Sequence, residues 1–244
     1  MDIQVCRAEH RDVEAMRELY RQQANCQIIH DSFLSRGLAH SYLIIVDGRV
    51  GGYGAVGNKH PKDRLMEFYT LPHVRSSALD MFRELLTASQ ATQIEAQTNI
   101  PLMLLMLYDV ATNITTENLL FEDAFVTHHP CPNGVFRHAT AEDHVPDADA
   151  EWVIEANDAV VAWGGFLCHY NPPYGDIYME VAEPARRQGF GSYLVQELKR
   201  VCYEAGKKPS ARCNPDNVGS RRTLQKAGFL PCGRLLVGDV GSLA

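Results

Sequence analysis

Short runs of alternating apolar and polar residues recur along the chain, and they are separated by stretches in which apolar residues return every three or four positions. The first pattern predicts half-buried strands and the second predicts amphipathic helices. In the first half the patterns predict strands at Ile3–Arg7, Tyr42–Val46, Arg49–Val56, Leu65–Leu71, Gln93–Gln97 and Asn118–Phe125, and helices at Asp12–Gln23, Ser77–Ala88 and Pro101–Ala111. In the second half they predict strands at Val160–Tyr170 and Ile177–Val181, and a helix between Gly191 and Gly206.

The two halves of the chain share a weak repeat. Tyr42–Gly54 matches Trp152–Gly164 in its strand, turn and strand, and Met66-Glu67 matches Met179-Glu180. The second copy is shorter by roughly 20 residues, at the place where the first copy has its opening helix. A match of unrelated hairpins remains the alternative, but we favour two related domains, 1–130 and 131–244. Prolines and an Asn-Gly step make His128–Asn133 the predicted linker.

Composition and charge exclude several classes of protein. The chain has 244 residues, 45% hydrophobic and 22% charged, with a net charge of −7, so no global basic surface is available for nucleic acid. The longest apolar run, Ile100–Leu107, is too short to span a bilayer, and the mixed sequence after Met1 does not predict a secretory signal. The seven cysteines are dispersed without a C-x-x-C pair, which predicts reduced thiols and a cytoplasmic location. His128-His129-Pro-Cys131 lacks further ligands nearby, so no metal is predicted.

Charge is unevenly distributed within the second half. Residues 138–183 include ten acidic residues and no Lys or Arg, whereas residues 184–234 include eleven basic and three acidic residues. A basic segment suits an anionic ligand, and an acidic segment suits a cationic amine. Four of the basic residues also fit a simpler interpretation, a solvated end of a helix, and these are Lys199, Arg200, Lys207 and Lys208.

The most specific local pattern is a strand, a glycine loop and a helix. Ile177–Val181 predicts a buried strand, Pro184 ends it, and Gly189 and Gly191 precede the helix. Glycines there allow successive backbone N–H groups to turn toward one point, where the helix dipole favours an anion. The loop lacks the Lys-Ser/Thr of a P-loop and the third glycine of a dinucleotide fingerprint, so phosphoryl transfer and dinucleotide redox chemistry are disfavoured.

Two motifs in this segment resemble the GNAT acetyltransferase superfamily. Its acetyl-CoA motif is similar to Arg186-Arg-Gln-Gly189-Phe-Gly191, and its second motif is similar to Asn217-Val-Gly-Ser220 followed by Gly228-Phe229. The similarity covers about Glu151–Val240. It implies an α/β (α+β) fold of two GNAT-like units, each with a mixed, mostly antiparallel central sheet flanked by helices. The first unit would be degenerate, because its loop, Thr70–Leu79, has no glycine and is not expected to bind a diphosphate.

The resemblance implies an acetyl-CoA-dependent N-acetyltransferase that acts by direct transfer to a primary amine of a small molecule or peptide. No metal, nucleic acid or membrane partner is expected, and the oligomeric state stays open, a homodimer included. The family motif would place CoA on the strand end, the loop and the following helices, namely Val181, Arg186, Arg187, Gln188, Gly189, Phe190, Gly191, Ser192, Asn217 and Ser220.

Catalytic residues are less clearly indicated than the loop. Glu180 is the first candidate for general base, because it ends a predicted buried strand and shares a face with Tyr178, and burial would raise its pKa. A solvent-exposed Glu180 is the open alternative, and His169 is the second candidate base. Leu224 occupies the position of a tyrosine that serves many family members as general acid.

Two alternatives to this mechanism remain open. Cys202 and Cys213 could carry an acyl group, but neither has a base adjacent in sequence. A catalytically idle acyl-CoA-binding or regulatory module would equally explain Leu224 and the degenerate first unit.

Overall fold

The structure is a computed structural model that describes residues 1–23, 31–131, 133–146, 150–170 and 172–242. Two short 3₁₀ helices span Pro72–Ser77 and Glu183–Ala185. In chain order the elements are β1 (Ile3–Ala8), α1 (His10–Arg21), α2 (Asp31–Ser35), β2 (Ala39–Val46), β3 (Arg49–Gly57), β4 (Arg64–Thr70), α3 (Ala78–Ser89), β5 (Gln93–Gln97), α4 (Pro101–Val110), β6 (Ala111–Asp123), β7 (Val135–His138), β8 (Trp152–Ala156), β9 (Ala159–Leu167), β10 (Tyr174–Val181), α5 (Phe190–Glu204), β11 (Lys208–Cys213), α6 (Val218–Lys226) and β12 (Phe229–Val240).

The predicted elements are confirmed in type, and their ends shift. The helix predicted from Asp12 begins at His10, because Glu9 is its N-cap and the Asp12 side chain accepts a hydrogen bond from the Glu9 N–H at 3.1 Å. The strand predicted at Asn118–Phe125 begins earlier, at Ala111. Of the predicted cysteine set and linker, Cys26 and Pro132 lie outside the described residues.

The chain forms two compact units, 1–118 with 233–244, and 119–232. We call them unit 1 and unit 2. They do not coincide with the predicted domains 1–130 and 131–244. The difference has a backbone cause: β6 residues from Leu119 pair with β11, and β12 residues from Leu235 pair with β5. β6 thus lies before the expected boundary at residues 130 and 131 but pairs with a strand after it. β12 lies after that boundary but pairs with a strand before it.

Unit 1 has a mostly antiparallel sheet in the order β1-β2-β3-β4-β5-β12. The only parallel pair among its described strands is β4 with β5, and it covers just two residue pairs. Helices α1, α3 and α4 bury their apolar faces on this sheet, where Val13, Met81, Phe82, Leu85 and Met103 are fully buried. Burying each such side chain contributes about 1.5–3 kcal/mol, so these helix faces hold the unit together.

Unit 2 has a matching sheet in the order β6-β11-β10-β9-β8-β7, again with one parallel pair, β10 with β11. Helix α5 packs on it through Leu194, Val195 and Leu198, which are fully buried. Between β7 and β8, the described residues 139–146 and 150–151 contain no helix, whereas unit 1 has α1 and α2 between its first two strands. No helix in the described part of the chain is long and apolar enough to cross a membrane.

The interpretation of Lys199 as part of a solvated helix end is wrong. Its side chain is only 2% exposed, and its Nζ lies 2.7 Å from Asp123 Oδ1. The same ammonium group donates to the carbonyls of Phe125 and Ala227. Because a buried ammonium group needs both a countercharge and acceptors, these three contacts explain how unit 2 accommodates it.

We expect Gly228→Ala to destabilise unit 2 by about 2–4 kcal/mol, because this position requires glycine. Gly228 has φ of 90°, and a Cβ there would lie 2.1 Å from the Phe125 carbonyl oxygen. The matched control is Gly206→Ala, since Gly206 also has a positive φ of 67° but no atom within 4 Å of the added carbon. Chemical denaturation should show that the control loses only about 1 kcal/mol of unfolding free energy. Equal losses in both variants would contradict a steric cause.

Candidate functional site

The glycine loop of unit 2, which contains Gly189, places the first backbone N–H groups of α5 beside the end of β10. These N–H groups have no hydrogen-bond partner within the helix. Gly189 adopts φ of 98° as the N-cap of α5, and the first backbone bond of the helix runs from Tyr193 N–H to the Gly189 carbonyl at 3.1 Å. The N–H groups of Phe190, Gly191 and Ser192 therefore precede the first intrahelical donor. Together with the helix dipole, they form a positive site for an anion.

Strand β10 separates from β11 just before this loop. It pairs with β11 only over Tyr174–Ile177, but with β9 as far as Val181. Ala182 N–H donates to the Val161 carbonyl of β9 at 2.9 Å. Because successive N–H groups of a strand point to opposite sides, those of Met179 and Val181 point to the side that β11 has left. Two backbone donors thus face the gap between the strands.

A cavity of about 760 Å³ lies between the end of β10, the loop and α6. Its charged lining consists of four cations, Arg186, Arg187, Arg222 and Lys226, and one carboxylate, Glu180. The remaining lining residues are Met179, Val181, Gly189, Gly191, Ser192, Asn217, Val218, Gly219, Ser220 and Thr223.

The lack of a side chain at Gly191 lets α5 lie close to α6 and to the end of β10 at the cavity wall. A Cβ at Gly191 would lie 3.3 Å from Thr223 Cγ2 and 3.3 Å from Val181 Cγ2. Asn217 caps α6 by accepting a hydrogen bond from the Ser220 N–H at 2.9 Å, which fixes the start of that helix beside the loop. Arg186 Nε donates to the Val181 carbonyl at 3.1 Å and so ties the loop to the strand end.

Most residues predicted to bind a cosubstrate meet at this cavity. Phe190 does not, because its side chain is buried in the core of unit 2, and the Gln188 side chain instead donates to the Pro184 carbonyl at 3.0 Å. The predicted residues that line the cavity are Val181, Arg186, Arg187, Gly189, Gly191, Ser192, Asn217 and Ser220.

The predicted catalytic residues are not brought together. Glu180 lines the cavity, but the expectation that it is buried is wrong, since its side chain is exposed. β9 ends at Leu167, opposite Asp176, which is itself about 16 Å of strand from Val181. His169 follows Leu167 by two residues and so lies farther still from Val181. Tyr178 does not line the cavity, and its hydroxyl oxygen would lie 2.9 Å from a Cβ at Gly165.

Two further features bear on the chemistry of unit 2. Burial raises the pKa of the Cys202 thiol to about 12 and also raises the pKa of Cys213, which makes both poor nucleophiles. Leu224 is 3% exposed and belongs to the apolar core. Neither the cysteines nor this position therefore supplies an obvious reactive group.

The cavity wall also contains residues that the sequence motifs did not indicate. Arg222, Thr223 and Lys226 line the cavity, and the only signal for the two cations was their spacing of four on a helix that begins with a binding motif. Asp176 lies on the same face of β10 as Tyr178 and Glu180. Burial raises its pKa to about 6 despite the Arg212 guanidinium, whose Nε lies 3.1 Å from Asp176 Oδ2.

In unit 1 the corresponding segment is built differently. The loop is replaced by the 3₁₀ helix Pro72–Ser77, and Arg75 Nη2 donates to the Thr70 carbonyl at 3.1 Å. Glu67, which matches Glu180 in the repeat, is 1% exposed and forms a two-point ion pair with Arg17. Among the described residues, no group of three or more His, Cys, Asp or Glu side chains forms a metal site.

Comparison with protein families matches both halves of the chain. The model of the acetyltransferase (GNAT) family matches residues 114–229, and the model of an acetyltransferase (GNAT) domain matches residues 9–124. The search of curated proteins found no significant match.

Solved structures show the same fold at low sequence identity. An acetyltransferase from the GNAT family of Colwellia psychrerythraea is 14% identical with a TM-score of 0.77, covering 98% of this chain and 100% of its own. A tandem GNAT protein from the clavulanic acid biosynthesis pathway is 13% identical with a TM-score of 0.61, covering 99% of both chains. A GCN5-related N-acetyltransferase from Sphaerobacter thermophilus is 14% identical with a TM-score of 0.61, covering 98% and 96%.

Proposed function

We propose, since this chain belongs to the GNAT acetyltransferase family and carries two such domains in tandem, that unit 2 transfers an acetyl group from acetyl-CoA to a primary amine. The observation that carries this proposal is the cavity beside the amino terminus of α5, with four cations on its wall and a carboxylate beside the strand gap. Acetyl-CoA would supply an activated acyl group as a thioester. The acceptor is a small-molecule or peptide amine.

The residues present fit such a cosubstrate. The N–H groups of Phe190, Gly191 and Ser192 can donate to a diphosphate, and Arg186 and Arg187 add positive charge at the loop. Gly191 supports the fit independently, because a Cβ there would already contact two residues of the cavity wall, Thr223 and Val181. These contacts would fix the anionic end of the ligand.

At the other end of the cavity, the strand gap can hold the reacting group. The Met179 and Val181 N–H groups point into the gap, where they can donate to carbonyl oxygens of an extended ligand and polarise the one that reacts. Glu180 lines the cavity on the same strand, and it would remove the proton that an ammonium group must lose before it becomes a nucleophile.

Leu224 gives no side-chain acid for the departing thiolate, since leucine has no ionisable proton, and it is buried in the core. A thiol with a pKa of about 8.5 leaves acceptably as the thiolate near neutral pH, so turnover does not require such an acid. The same leucine is the observation that favours the second candidate function, an acyl-CoA-binding or regulatory module without turnover.

Turnover separates the two candidates. The full chain is incubated with acetyl-CoA and a panel of primary amines, including small diamines, amino acids and short peptides, and acetylated product is measured by mass spectrometry. Mass detection is needed because exposed Cys6 and Cys168 would themselves react with thiol reagents. Product formation supports the enzyme, whereas CoA binding with no product from any amine supports the module.

We expect Gly191→Val to weaken CoA binding by about tenfold or more, because the added methyl groups would occupy space between Thr223 and Val181. Gly191→Ala should have a smaller effect, since one carbon at 3.3 Å needs only small shifts of two side-chain ends. Calorimetric titration measures both variants, with circular dichroism as the check on folding. Unchanged affinity in a folded valine variant would place the ligand elsewhere.

The proposed location is the cytoplasm. Its support is that five cysteines in the described part of the chain are free thiols, namely Cys6, Cys131, Cys168, Cys202 and Cys213.

A further inference from the structure

Two thiols of opposite exposure, Cys168 and Cys202, are neighbours in unit 2. Cys168 directly follows β9 and is exposed, whereas Cys202 belongs to α5 and is 0% exposed. After burial, the charge of a Cys168 thiolate is the largest cause of the raised pKa of Cys202, so the two sulfur atoms interact directly. The acetyl transfer proposed above uses neither thiol.

The register of β9 and β10 explains why these two thiols meet. Phe166 lies opposite Ile177, on the sheet face that α5 covers. Side chains two residues apart on a strand share a face, so Cys168 and Gly175 come opposite each other on that same face. Opposite residues of an antiparallel pair have Cβ atoms about 4.5–5.5 Å apart. The ladder ends at Leu167, so the backbone at Cys168 can shift without breaking it.

Gly175 leaves space for the approach of the two sulfur atoms. A Cβ at this position would lie 2.8 Å from Cys202 Sγ, and the Gly175 N–H donates to the same sulfur. Cys202 Sγ therefore lies directly against the residue opposite Cys168. A disulfide requires Cβ atoms about 3.5–4.5 Å apart, and movement at the end of β9 can supply that approach.

We propose that Cys168 and Cys202 form a peroxide-sensitive pair that closes to a disulfide beside Gly175. In the first step the Cys168 sulfur attacks hydrogen peroxide. An S–O bond forms, the O–O bond breaks, and the departing hydroxide becomes water with the Cys168 thiol proton. In the second step the Cys202 sulfur attacks the sulfenic sulfur. An S–S bond forms, the S–O bond breaks, and hydroxide leaves as water with the Cys202 proton. Two thiols are thereby oxidised, and one peroxide is reduced to two waters.

Exposure assigns the two steps to different residues. Peroxide reaches Cys168 from solvent, whereas burial and the Cys168 charge together raise the pKa of Cys202 to about 12 and protect it from direct oxidation. Conversion of the Cys168 thiolate into an uncharged sulfenic acid removes the second of these causes. The Gly175 N–H stabilises the Cys202 sulfur as it loses its proton. Cys202 is therefore the resolving thiol.

The disulfide would join the two ends of the segment that carries the cavity. Residues 168–202 include the end of β10, the glycine loop and most of α5. A cross-link between these ends reduces the conformational freedom of the unfolded chain. We therefore expect oxidation to raise the Tm of unit 2 by about 5–10 °C.

The test treats the reduced full chain with hydrogen peroxide, blocks the remaining thiols with N-ethylmaleimide and maps an unreduced tryptic digest by mass spectrometry. Trypsin leaves Cys168 within residues 138–186 and Cys202 within residues 201–207, and neither peptide contains another cysteine. We expect these two peptides as one linked species, two hydrogen atoms lighter than their sum, which dithiothreitol separates. Thermal unfolding before and after oxidation measures the rise in Tm.

Three variants assign the linkage. Cys168→Ser should abolish the linked species and leave Cys202 reduced. Cys202→Ala should abolish it and let Cys168 proceed to sulfinic acid, because no thiol captures the sulfenic acid. Cys6→Ser is the matched control, since Cys6 is exposed as Cys168 is but lies in unit 1, and it should keep the linked species.

Other results would overturn the proposal without touching acetyl transfer. Absence of the linked species at peroxide concentrations that oxidise Cys6 would show that the pair does not close. Linkage of Cys168 to any thiol other than Cys202 would also contradict it. If Cys202→Ala fails to fold, Cys168→Ser still decides the question, because its substitution is at an exposed position.

Discussion

Replacing Glu180 by glutamine is expected to lower kcat for acetyl transfer by about 100-fold at pH 7, with CoA affinity nearly unchanged. Positioned general bases typically contribute 10²- to 10⁴-fold, and Glu180 is the only carboxylate on the cavity wall among the described residues. Glutamine keeps the size of the side chain and removes its capacity to accept a proton. We therefore expect a deficit in the rate without a deficit in folding or binding.

The pH profile distinguishes a base from a residue that merely contacts substrate. Primary amines lose their own proton near pH 10, so the deficit of Glu180→Gln should shrink as the pH rises toward that value. Glu183→Gln is the control, because Glu183 is exposed on the next turn of chain and does not line the cavity. A deficit that stays constant between pH 7 and 10, or one of similar size in both variants, would argue against Glu180 as the base.

Local patterns of the sequence predicted the parts of the site that are local in the structure. The strand before Gly189, the loop itself and the helix after it each depend on a few adjacent residues. Backbone preferences and hydrogen bonds of neighbours decide such features, so one sequence suffices to predict them. For the same reason, the cavity contains most of the residues expected for a cosubstrate.

The wrong predictions concern environment, which distant segments decide. Lys199 is buried because Asp123 and two carbonyls, far away in sequence, surround its ammonium group. Glu180 is exposed although its strand is apolar, because burial along a strand also depends on what covers each face. The ends of β6 and β12 likewise pair with strands on the far side of the expected domain boundary. The hydrophobic periodicity of a single segment cannot predict contacts with residues that are distant in the sequence.

The two matched glutamates show how one pattern leads to different environments. In unit 1, α1 brings Arg17 onto the sheet, and Glu67 is buried beneath it. In unit 2, the described residues between β7 and β8 contain no such helix, and Glu180 is exposed at a cavity. A carboxylate that is already paired and hydrogen-bonded inside the core is a structural group, so we expect any transfer chemistry to reside in unit 2.

The buried pair of unit 1 should contribute strongly to stability once one partner is lost. Arg17 Nε and Nη2 each lie 2.9 Å from a carboxylate oxygen of Glu67, and Tyr53 Oη donates to Glu67 at 2.9 Å. Both charged side chains are at most 1% exposed. Glu67→Gln removes the buried countercharge of Arg17 and leaves it the half-exposed Glu14, and we expect a loss of about 3–5 kcal/mol in the free energy of unfolding.

Glu14→Gln is the matched control, because Glu14 also pairs with Arg17, at 3.5 Å, but is 45% exposed. Such an exposed pair should contribute no more than about 1 kcal/mol. Hydrogen exchange of α1 and β4 amides reports on unit 1, while the fluorescence of Trp152 and Trp163 reports on unit 2. The double variant Arg17→Met/Glu67→Leu should recover much of the lost stability, since it removes both charges from the core. Equal losses in Glu67→Gln and Glu14→Gln, or no recovery in the double variant, would contradict an uncompensated buried charge as the cause.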